Sequence, residues 1–342
     1  MIYLYETSSE EWNNTLNRLP LDKRDIFFTS EYYKMHELNG EGKGCCFVYE
    51  DENGIGIYPF LMNKIEDYNL TQDYYDIETA YGYGGPITSH DGEIFARKFE
   101  QAFINFCQNH NIVAEFMRFH PIIENERIFN DNIDIIHNRT IVYLDLNRTI
   151  EEIWNEDITS KNRNMIRKAE KSNLTITHNR DFKTFKSIYF ETMDKLGADA
   201  YYYFSDNYYT MMENDRHYYL MNVMKEDRTI ASAVFMKFQK YFHYHLAGSL
   251  KEYLKYAPNN FLMWEAIKFA HDSGAKYFHL GGGRTTDMMD PLFKYKSSFS
   301  RRTANFYIGK RVHNSRIYEE LMSEWQKKND RKPALFLQYK YR

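Results

Sequence analysis

A chain of 342 residues is longer than one hydrophobic core usually supports, so we expect two domains. The formal net charge of −4 excludes bulk attraction to a long polyanion and leaves only local phosphate contacts. No apolar stretch approaches the roughly 18–20 residues that cross a bilayer, so no integral membrane segment is expected. The three cysteines, Cys45, Cys46 and Cys107, form no C-x-x-C pair, which with the absence of an export signal predicts a cytoplasmic protein.

The first half of the chain predicts two short helices, an antiparallel hairpin, and then a strand, a helix and a strand. Residues 8–19 carry apolar side chains at helical spacing behind a serine, and Thr29 with Ser30 caps a second helix through Leu38. Asn53-Gly54 is a strong hairpin signal between two alternating segments. The predicted elements are helices 8–19 and 30–38, strands 45–49, 55–62 and 77–81, helix 91–109 and strand 113–119.

The second half repeats this order of elements. The predicted elements are strand 140–146, helices 150–155, 161–171 and 182–196, a three-strand meander at 218–224, 230–238 and 242–247, helix 259–271 and strand 277–280. We therefore predict two similar α/β (α+β) units. Residues 1–139 would form the first, joined by the C-terminal segment 314–342, and residues 140–313 would form the second.

A run of three glycines, Gly281 to Gly283, follows the last predicted strand, and Arg284 comes next. Glycines allow backbone N–H groups to approach a phosphate or a carbonyl without a Cβ in the way. A plain turn is the alternative. Asp290-Pro291 then predicts a helix start, which puts Lys294 on the first helical turn near the glycines. The ammonium of Lys294 could stabilise a developing oxyanion there.

Two further groups of polar side chains are candidates for binding. His243, Tyr244 and His245 alternate along one predicted strand, and two histidines without a third ligand do not predict a metal site. Tyr244 or His245 could instead hydrogen-bond a ligand near Ser249, or lie in the core. Helix 161–171 places several polar and basic side chains on one face, which could bind phosphates or simply be exposed to solvent. Its members are Asn164, Arg167, Lys168 and Lys171.

The chain has no G-x-S-x-G elbow, no H-E-x-x-H motif and no obvious Cys–His pair. Covalent hydrolase chemistry is therefore not indicated. Direct transfer between two substrates held together in one complex fits better.

The order and spacing of several segments resemble the FemABX family of aminoacyl transferases. In the second half these segments are residues 160–169, 243–249, 256–259, 278–283 and 293–294, and in the first half 31–34, 82–86 and 118–121. The resemblance implies two GNAT-like units, each a mixed, mostly antiparallel sheet flanked by helices. No long heptad-patterned insertion is present, so the chain resembles the compact, armless members.

The resemblance also implies a function. Family members transfer an amino acid from its tRNA ester to an amine of a peptidoglycan precursor, without a metal or a dissociable coenzyme. Lys34 would contact the nucleotide diphosphate of the precursor, and Lys294 would lie near the transferred acyl group. The expected catalytic residues are Lys294 and Tyr244. The expected substrate-binding residues are Lys34, Arg118, His120, Asn164, Arg167, Lys168, His245, Ser249, Asn259, Gly281, Gly282, Gly283, Arg284 and Phe293.

Two other functions remain open at this level. An acyl-CoA-dependent N-acyltransferase of the same fold could act on a nucleotide-linked amino sugar, although residues 255–260 lack the glycines of a GNAT pyrophosphate loop. A non-catalytic module that binds a glycan or an envelope precursor is the third hypothesis. The partners expected for the enzyme are an aminoacyl-tRNA or acyl-CoA donor and a nucleotide- or lipid-linked envelope precursor.

Overall fold

The computed structural model describes residues 1–90, 92–129, 133–330, 332 and 334–340, and of Tyr201 only the backbone. The strands are β1 Ile2–Glu6, β2 Lys43–Asp51, β3 Gly54–Lys64, β4 Tyr75–Glu78, β5 Ile87–Thr88, β6 Ile112–Arg118, β7 Asp134–Asp145, β8 Thr175–Asn179, β9 Tyr218–Lys225, β10 Arg228–Phe238, β11 Tyr241–Ser249, β12 Tyr277–Gly282 and β13 Thr303–Val312. The helices are α1 Glu10–Leu16, α2 Ser30–Leu38, α3 Glu93–Asn109, α4 Ile150–Glu152, α5 Ser160–Lys171, α6 Phe182–Leu196, α7 Asp206–Asn214, α8 Pro258–Asp272, α9 Pro291–Ser297 and α10 Ser315–Lys328.

Most predicted elements are confirmed, and the differences are local. Helices α2 and α6 have the predicted bounds, while α1 is shorter than residues 8–19. The hairpin forms one residue earlier than expected, because Gly54 pairs with Asp51 and the turn consists of Glu52 and Asn53. Asp91, the predicted start of the third helix, lies outside the described residues, and α3 begins at Glu93. The sequence analysis did not predict β1, β5, β8, β13, α7 or α10.

The chain divides into two compact units. Unit 1 comprises Met1–Asn138 and Asn305–Arg342, and unit 2 comprises Arg139–Ala304. Residues 305–313, which the sequence analysis grouped with the second unit, thus belong to unit 1. Residues 331, 333, 341 and 342 of the tail lie outside the described residues.

Unit 1 is built on a mostly antiparallel sheet in the order β1-β2-β3-β4-β6-β13. Among its described strands, β4 and β6 form the parallel pair. Helix α3 covers one face, where its phenylalanines recur every three or four residues and are all buried. Helix α10 contributes Leu321 and Trp325 to a second apolar cluster, together with Tyr74 and Tyr339. The burial of these two apolar stripes fixes both helices against the sheet.

A network of buried charges crosses the core of unit 1. Arg311 is 6% exposed, and its guanidinium donates to Glu100 at 2.5 Å and lies 3.3 Å from Glu115. The Tyr58 hydroxyl donates to Glu115 at 3.1 Å. Burial opposes the ionisation of Glu115, but Arg311 and His313 hold its pKa below the ordinary value. Arg311 and His313 therefore favour the ionised form of the buried Glu115 carboxylate.

Unit 2 has a sheet in the order β7-β12-β11-β10-β9-β8, in which β11 and β12 are parallel. Helices α5 and α8 lie against it and bury Ile166, Ala169, Ile267 and Ala270 in one apolar cluster. Helix α6 packs along β10 and β11. In the described part of the chain, no helix combines the length and the apolar character that a membrane crossing requires.

Replacing Arg311 by methionine should destabilise the protein strongly, because Glu100 and Glu115 would both lose the buried guanidinium that lies between them. We expect the free energy of unfolding to fall by about 3–5 kcal/mol, measured by urea denaturation followed by circular dichroism. Arg18→Met is the control, since Arg18 pairs with Glu50 at the surface, and that pair should contribute less than about 1 kcal/mol. Equal effects of the two substitutions would contradict a stabilising role for the buried network.

Candidate functional site in unit 2

The candidate site lies where the two parallel strands of unit 2 separate. Strands β11 and β12 pair over three positions, the last of which joins His243 to His279. Beyond this point β11 continues to pair with β10, and β12 continues to pair with β7. The two strands therefore stop pairing after this point, with Tyr244 on one side and the glycine run on the other. We call this break in the pairing the opening between β11 and β12.

An irregularity in each strand marks the beginning of this opening. In β11, Tyr244 and Leu246 lie opposite consecutive residues of β10, so His245 is an extra, bulged residue. In β12, His279 and Gly281 lie opposite consecutive residues of β7, so Leu280 is the extra residue. A bulge releases backbone groups from the ladder and turns a strand, which explains why the strands part here.

A buried lysine reaches across the glycine run from helix α9. The Lys296 ammonium donates to the carbonyl of Gly282 at 2.8 Å. Gly281 has a φ of +81°, and a Cβ at this position would lie 3.0 Å from the Lys296 Nζ. A Cβ at Gly283 would lie 2.7 Å from the Asp290 carboxylate. The glycines therefore let this loop bend and approach the lysine and Asp290 closely.

The start of α9 fixes the direction of that lysine. Asp290 caps the helix by accepting hydrogen bonds from the N–H groups of Leu292 and Phe293, and Pro291 occupies the first helical position. Phe293 is buried in the apolar cluster of unit 2. Because Lys296 lies three residues after Phe293, it shares the inward face of α9, whereas Lys294 is exposed.

The buried environment of Lys296 lowers the pKa of its amine. The residue is 8% exposed, and burial lowers its pKa to about 7. The Arg139 guanidinium, which donates to the carbonyl of Gly283 at 2.8 Å, acts in the same direction, while Asp290 opposes the shift. Both forms of the amine are therefore populated near neutral pH, which is the range suited to proton transfer and to stabilising an oxyanion.

Of the residues predicted from the sequence, Tyr244 lies beside this lysine, and Ser249 and Asn259 contact each other. The Lys296 Nζ is 5.9 Å from the ring centroid of Tyr244. Asn259 donates to the Ser249 hydroxyl at 3.1 Å and accepts from the Tyr295 hydroxyl at 2.8 Å. Burial raises the pKa of Tyr244. Its phenol is therefore neutral at physiological pH and can act as a hydrogen-bond donor but not as a base.

Other residues of unit 2 hold the framework of the site. The bulged His245 contacts the Tyr208 hydroxyl through Nε2 at 2.9 Å. Asn162 at the start of α5 donates to the Ser298 carbonyl at 3.2 Å and accepts from Asn260 at 2.7 Å. Asn162 thus joins the starts of α5 and α8 to the end of α9. The sequence analysis did not select Asn162.

The remaining predicted residues of unit 2 take different positions. Asn164, Arg167 and Lys168 are exposed on α5, where Arg167 lies over the Trp154 ring at 5.5 Å. Arg284 is exposed in the loop after the glycines, and Phe293 packs in the core. Within the described residues, the Lys294 ammonium has no hydrogen bond or ion pair, and the group against the glycine run is Lys296. The sequence signal that could have identified Lys296 is its helical spacing from Phe293.

In unit 1 the three predicted residues have protein partners. The Lys34 ammonium pairs with Glu37 at 3.1 Å and is partly exposed. The Arg118 guanidinium donates to the Thr79 carbonyl at 2.8 Å and lies 3.5 Å from Glu78. His120 is fully buried, with Nε2 2.8 Å from Asp25. As placed, His120 offers no surface to a ligand, and its contacts hold the segments around it together.

Comparison with known proteins supports the fold and the class. Residues 160–297 match the acetyltransferase (GNAT) domain family. The crystal structure of FemX has a TM-score of 0.71 with 13% identity, covering 93% of this chain and 99% of that one. The C-terminal domain of a putative lysylphosphatidylglycerol synthetase from Agrobacterium fabrum has a TM-score of 0.51 with 12% identity, covering 89% and 93%. A tandem GNAT protein from the clavulanic acid biosynthesis pathway has a TM-score of 0.50 with 8% identity, covering 91% and 98%.

A search of curated protein sequences finds no match to the chain. The fold is nevertheless defined by the structure and by these similarities. The chain has a tandem GNAT fold of the FemABX type. The GNAT domain and the acyltransferases among similar structures support an acyltransferase.

The lowered pKa of Lys296 predicts a specific dependence of stability on pH. Between about pH 7 and the ordinary lysine value of 10.5, the unfolded chain keeps this proton and the folded protein has lost it, so the free energy of unfolding should rise with pH. Lys296→Met should remove this component, on the order of a few kcal/mol, in urea denaturation at several pH values. Lys294→Met, at an exposed position of the same helix, should keep the wild-type profile. Identical pH profiles for wild type and Lys296→Met would contradict the assignment.

Proposed function

We propose that this protein transfers an aminoacyl group from an aminoacyl-tRNA to an amine of a cell-wall or cell-envelope precursor. The observation that carries this proposal is the buried Lys296 amine, held against the glycine run in the opening between β11 and β12. A group with two accessible protonation states in a dry site suits acyl transfer to an amine. The tandem GNAT fold is compatible with this chemistry.

In the proposed reaction, the acceptor nitrogen attacks the carbonyl carbon of the aminoacyl ester. The new C–N bond forms, the ester C–O bond breaks, and the proton lost by the amine passes to the released hydroxyl of the donor. The Lys296 ammonium would stabilise the negative charge that develops on the carbonyl oxygen, and the Tyr244 phenol would supply a second hydrogen-bond donor. Preorganised donors of this kind typically account for a 10²–10³-fold rate effect each.

The segment between β11 and α8 favours an ester donor over acyl-CoA. A diphosphate needs several free N–H groups at a helix start. Here α8 begins at Pro258, which has no N–H, and the preceding N–H of Ala257 already donates to Leu254. The side chain of Asn260 is committed to Asn162. This helix start is therefore a poor diphosphate site, in agreement with the lack of glycine in residues 255–260.

The acceptor is proposed to be a nucleotide- or lipid-linked precursor. Lys34 in unit 1 would contact its phosphates, as the FemABX resemblance implies, because its ammonium is accessible beside Glu37. The exposed basic residues of α5, Arg167 and Lys168, are available for phosphates of a donor. No dissociable coenzyme is required in this reaction, since the ester donor brings its own activation.

A second candidate keeps the fold and uses acyl-CoA to acylate a nucleotide-linked amino sugar. The match of residues 160–297 to an acetyltransferase domain family favours it. The two candidates share the acyl-transfer step and the proposed role of Lys296. They differ in the donor, which can be measured directly.

Lys296→Met should lower the rate of acyl transfer about 10²–10³-fold, because it removes a charged donor from the proposed oxyanion site. The rate of single-turnover transfer should also fall above about pH 7, where Lys296 loses its proton. Lys294→Met tests the residue selected from the sequence, and we expect a change below about threefold since its side chain points to solvent. A large loss in Lys294→Met with full activity in Lys296→Met would reverse the assignment. If the rate instead rises with pH around pH 7 in the wild type but not in Lys296→Met, Lys296 would act as a general base.

A thermal-shift screen should identify the donor class, because a ligand that binds only the folded protein raises the melting temperature. Charged tRNA and a UDP-linked muropeptide should stabilise the protein, with no shift from CoA or acetyl-CoA. At a ligand concentration of 100 Kd the stabilisation is roughly 2.7 kcal/mol, which is a readily measured shift. Stabilisation by CoA species, with none by tRNA, would replace the aminoacyl proposal by the acyl-CoA candidate.

A further inference from the structure

The outer edge of strand β1 in unit 1 is a surface that the acyl-transfer proposal does not use. β1 is the terminal strand of its sheet, and within the described residues only β2 pairs with it. The large hydrophobic side chains of Met1, Ile2, Tyr3 and Leu4 are all exposed, and the exposed fraction reaches 71% for Met1 and 53% for Ile2. Such a run of consecutive exposed hydrophobic residues is typical of a surface that another molecule covers.

The hydrogen bonds of β1 show which of its backbone groups point outwards. Met1 and Glu50 are bonded twice, because the Met1 nitrogen donates to the Glu50 carbonyl at 2.5 Å and the Glu50 N–H donates to the Met1 carbonyl at 2.9 Å. Bonded pairs alternate along antiparallel strands, so every second residue of β1 bonds to β2. The N–H and carbonyl groups of Ile2 and Leu4 therefore point away from β2. In the described part of the chain these groups have no partner.

β1 lacks the features that usually prevent a sheet edge from pairing with another chain. It contains no proline and no lysine, and its register with β2 is regular from Ile2 to Glu6. Its one charged residue, Glu6, pairs with Lys43 at 2.5 Å. A charged partner strand would therefore find no countercharge along this edge. Two copies of β1 match each other in this respect, because neither brings an unpaired charge to the contact.

Two copies of β1 can pair around a two-fold axis in a register that satisfies all of the outward groups. Such an axis keeps each side chain on its own face of the sheet, so an odd-numbered residue lies opposite another odd-numbered residue. When Tyr3 lies opposite Tyr3 of the second copy, Ile2 lies opposite Leu4. These two residues then exchange N–H and carbonyl hydrogen bonds on both sides of the axis.

Other features of the strand favour this register. A shift towards Glu6 would use the Glu6 carbonyl, which already accepts from the Ser9 N–H at 2.9 Å where the chain turns towards α1. On one face of β1, Tyr3 and Tyr5 are stacked with ring centroids 5.9 Å apart, and pairing would extend them into a row of four tyrosines. On the other face, Ile2 would pack against Leu4 of the second copy.

We propose that this protein self-associates through β1, which pairs antiparallel with β1 of a second copy and joins the two unit 1 sheets into one. The proposal rests on unit 1 alone and does not depend on the reaction assigned to unit 2. Because β1 has only five residues, the contact is smaller than the standard interface. We therefore expect a weak dimer with a Kd on the order of 10–100 μM.

Sedimentation velocity of the full-length protein should show a dimer fraction that rises with protein concentration. Leu4→Pro should weaken the dimer at least about tenfold, because each copy loses a donor at the contact and leaves a carbonyl of the other copy unpaired. The melting temperature should change little, since the Leu4 N–H makes no bond within the described chain. Leu196→Lys is the control at an exposed leucine of unit 2, and it should dimerise like the wild type.

Cross-linking tests the register itself. In the proposed register the two Tyr3 residues form a non-hydrogen-bonded pair with Cα atoms about 4.5 Å apart, which is within disulfide range. Tyr3→Cys should therefore form a covalent dimer with oxidised glutathione, and a reducing agent should reverse it. The native cysteines are buried and should not contribute. Leu4→Cys is the matched control, because Leu4 would face Ile2 of the second copy and should not cross-link.

Three outcomes would overturn the proposal. The first is a wild-type protein that stays monomeric at about tenfold above the expected Kd range. The second is Leu4→Pro that keeps its fold and dimerises as tightly as the wild type. The third is Leu4→Cys that cross-links as readily as Tyr3→Cys.

Discussion

The burial of one amine, that of Lys296, sets the requirements that the surrounding part of unit 2 meets. A lysine can be buried only if its hydrogen bonds are satisfied and its charge is tolerated or lost. The Gly282 carbonyl satisfies the first requirement, and the proximity of Arg139 and the low exposure favour loss of the charge. Gly281 and Gly283 lack side chains where Lys296 and Asp290 approach. The glycine run, the helix cap and the lowered pKa are therefore parts of one arrangement.

The two units have similar sheets, yet the region after the parallel pair differs between them. In unit 2, β11 and β12 separate after His243 and His279, and Lys296 reaches into the opening. In unit 1, the chain after β4 stays hydrogen-bonded to the end of β6, because the Gly84 N–H donates to the Arg118 carbonyl and the Arg118 guanidinium donates to the Thr79 carbonyl. The same topology thus gives an opening in one unit and a closed, internally bonded region in the other.

Opposite charges lie close together in the core of unit 1. The Arg311 guanidinium lies 2.5 Å from Glu100 and 3.3 Å from Glu115, and His313 lies 3.3 Å from Glu115. Attraction at these distances offsets part of the free-energy cost of burying each charge.

The sequence by itself determined the elements whose side chains repeat at a clear period, such as the helices α3 and α6 and the hairpin of β2 and β3, because apolar periodicity and turn chemistry are local. It also directed attention to the glycine run, to Tyr244, and to Ser249 and Asn259. The short strands β1 and β8 were not predicted, because their few residues show no clear alternation of apolar side chains and are held in place by pairing with neighbouring strands. Only the tertiary structure shows that Lys296, and not Lys294, lies against the glycine run. Lys294 and Lys296 are two residues apart on the helix, so their side chains point in directions about 200° apart. The packing of Phe293 into the core determines that Lys296 is the buried one.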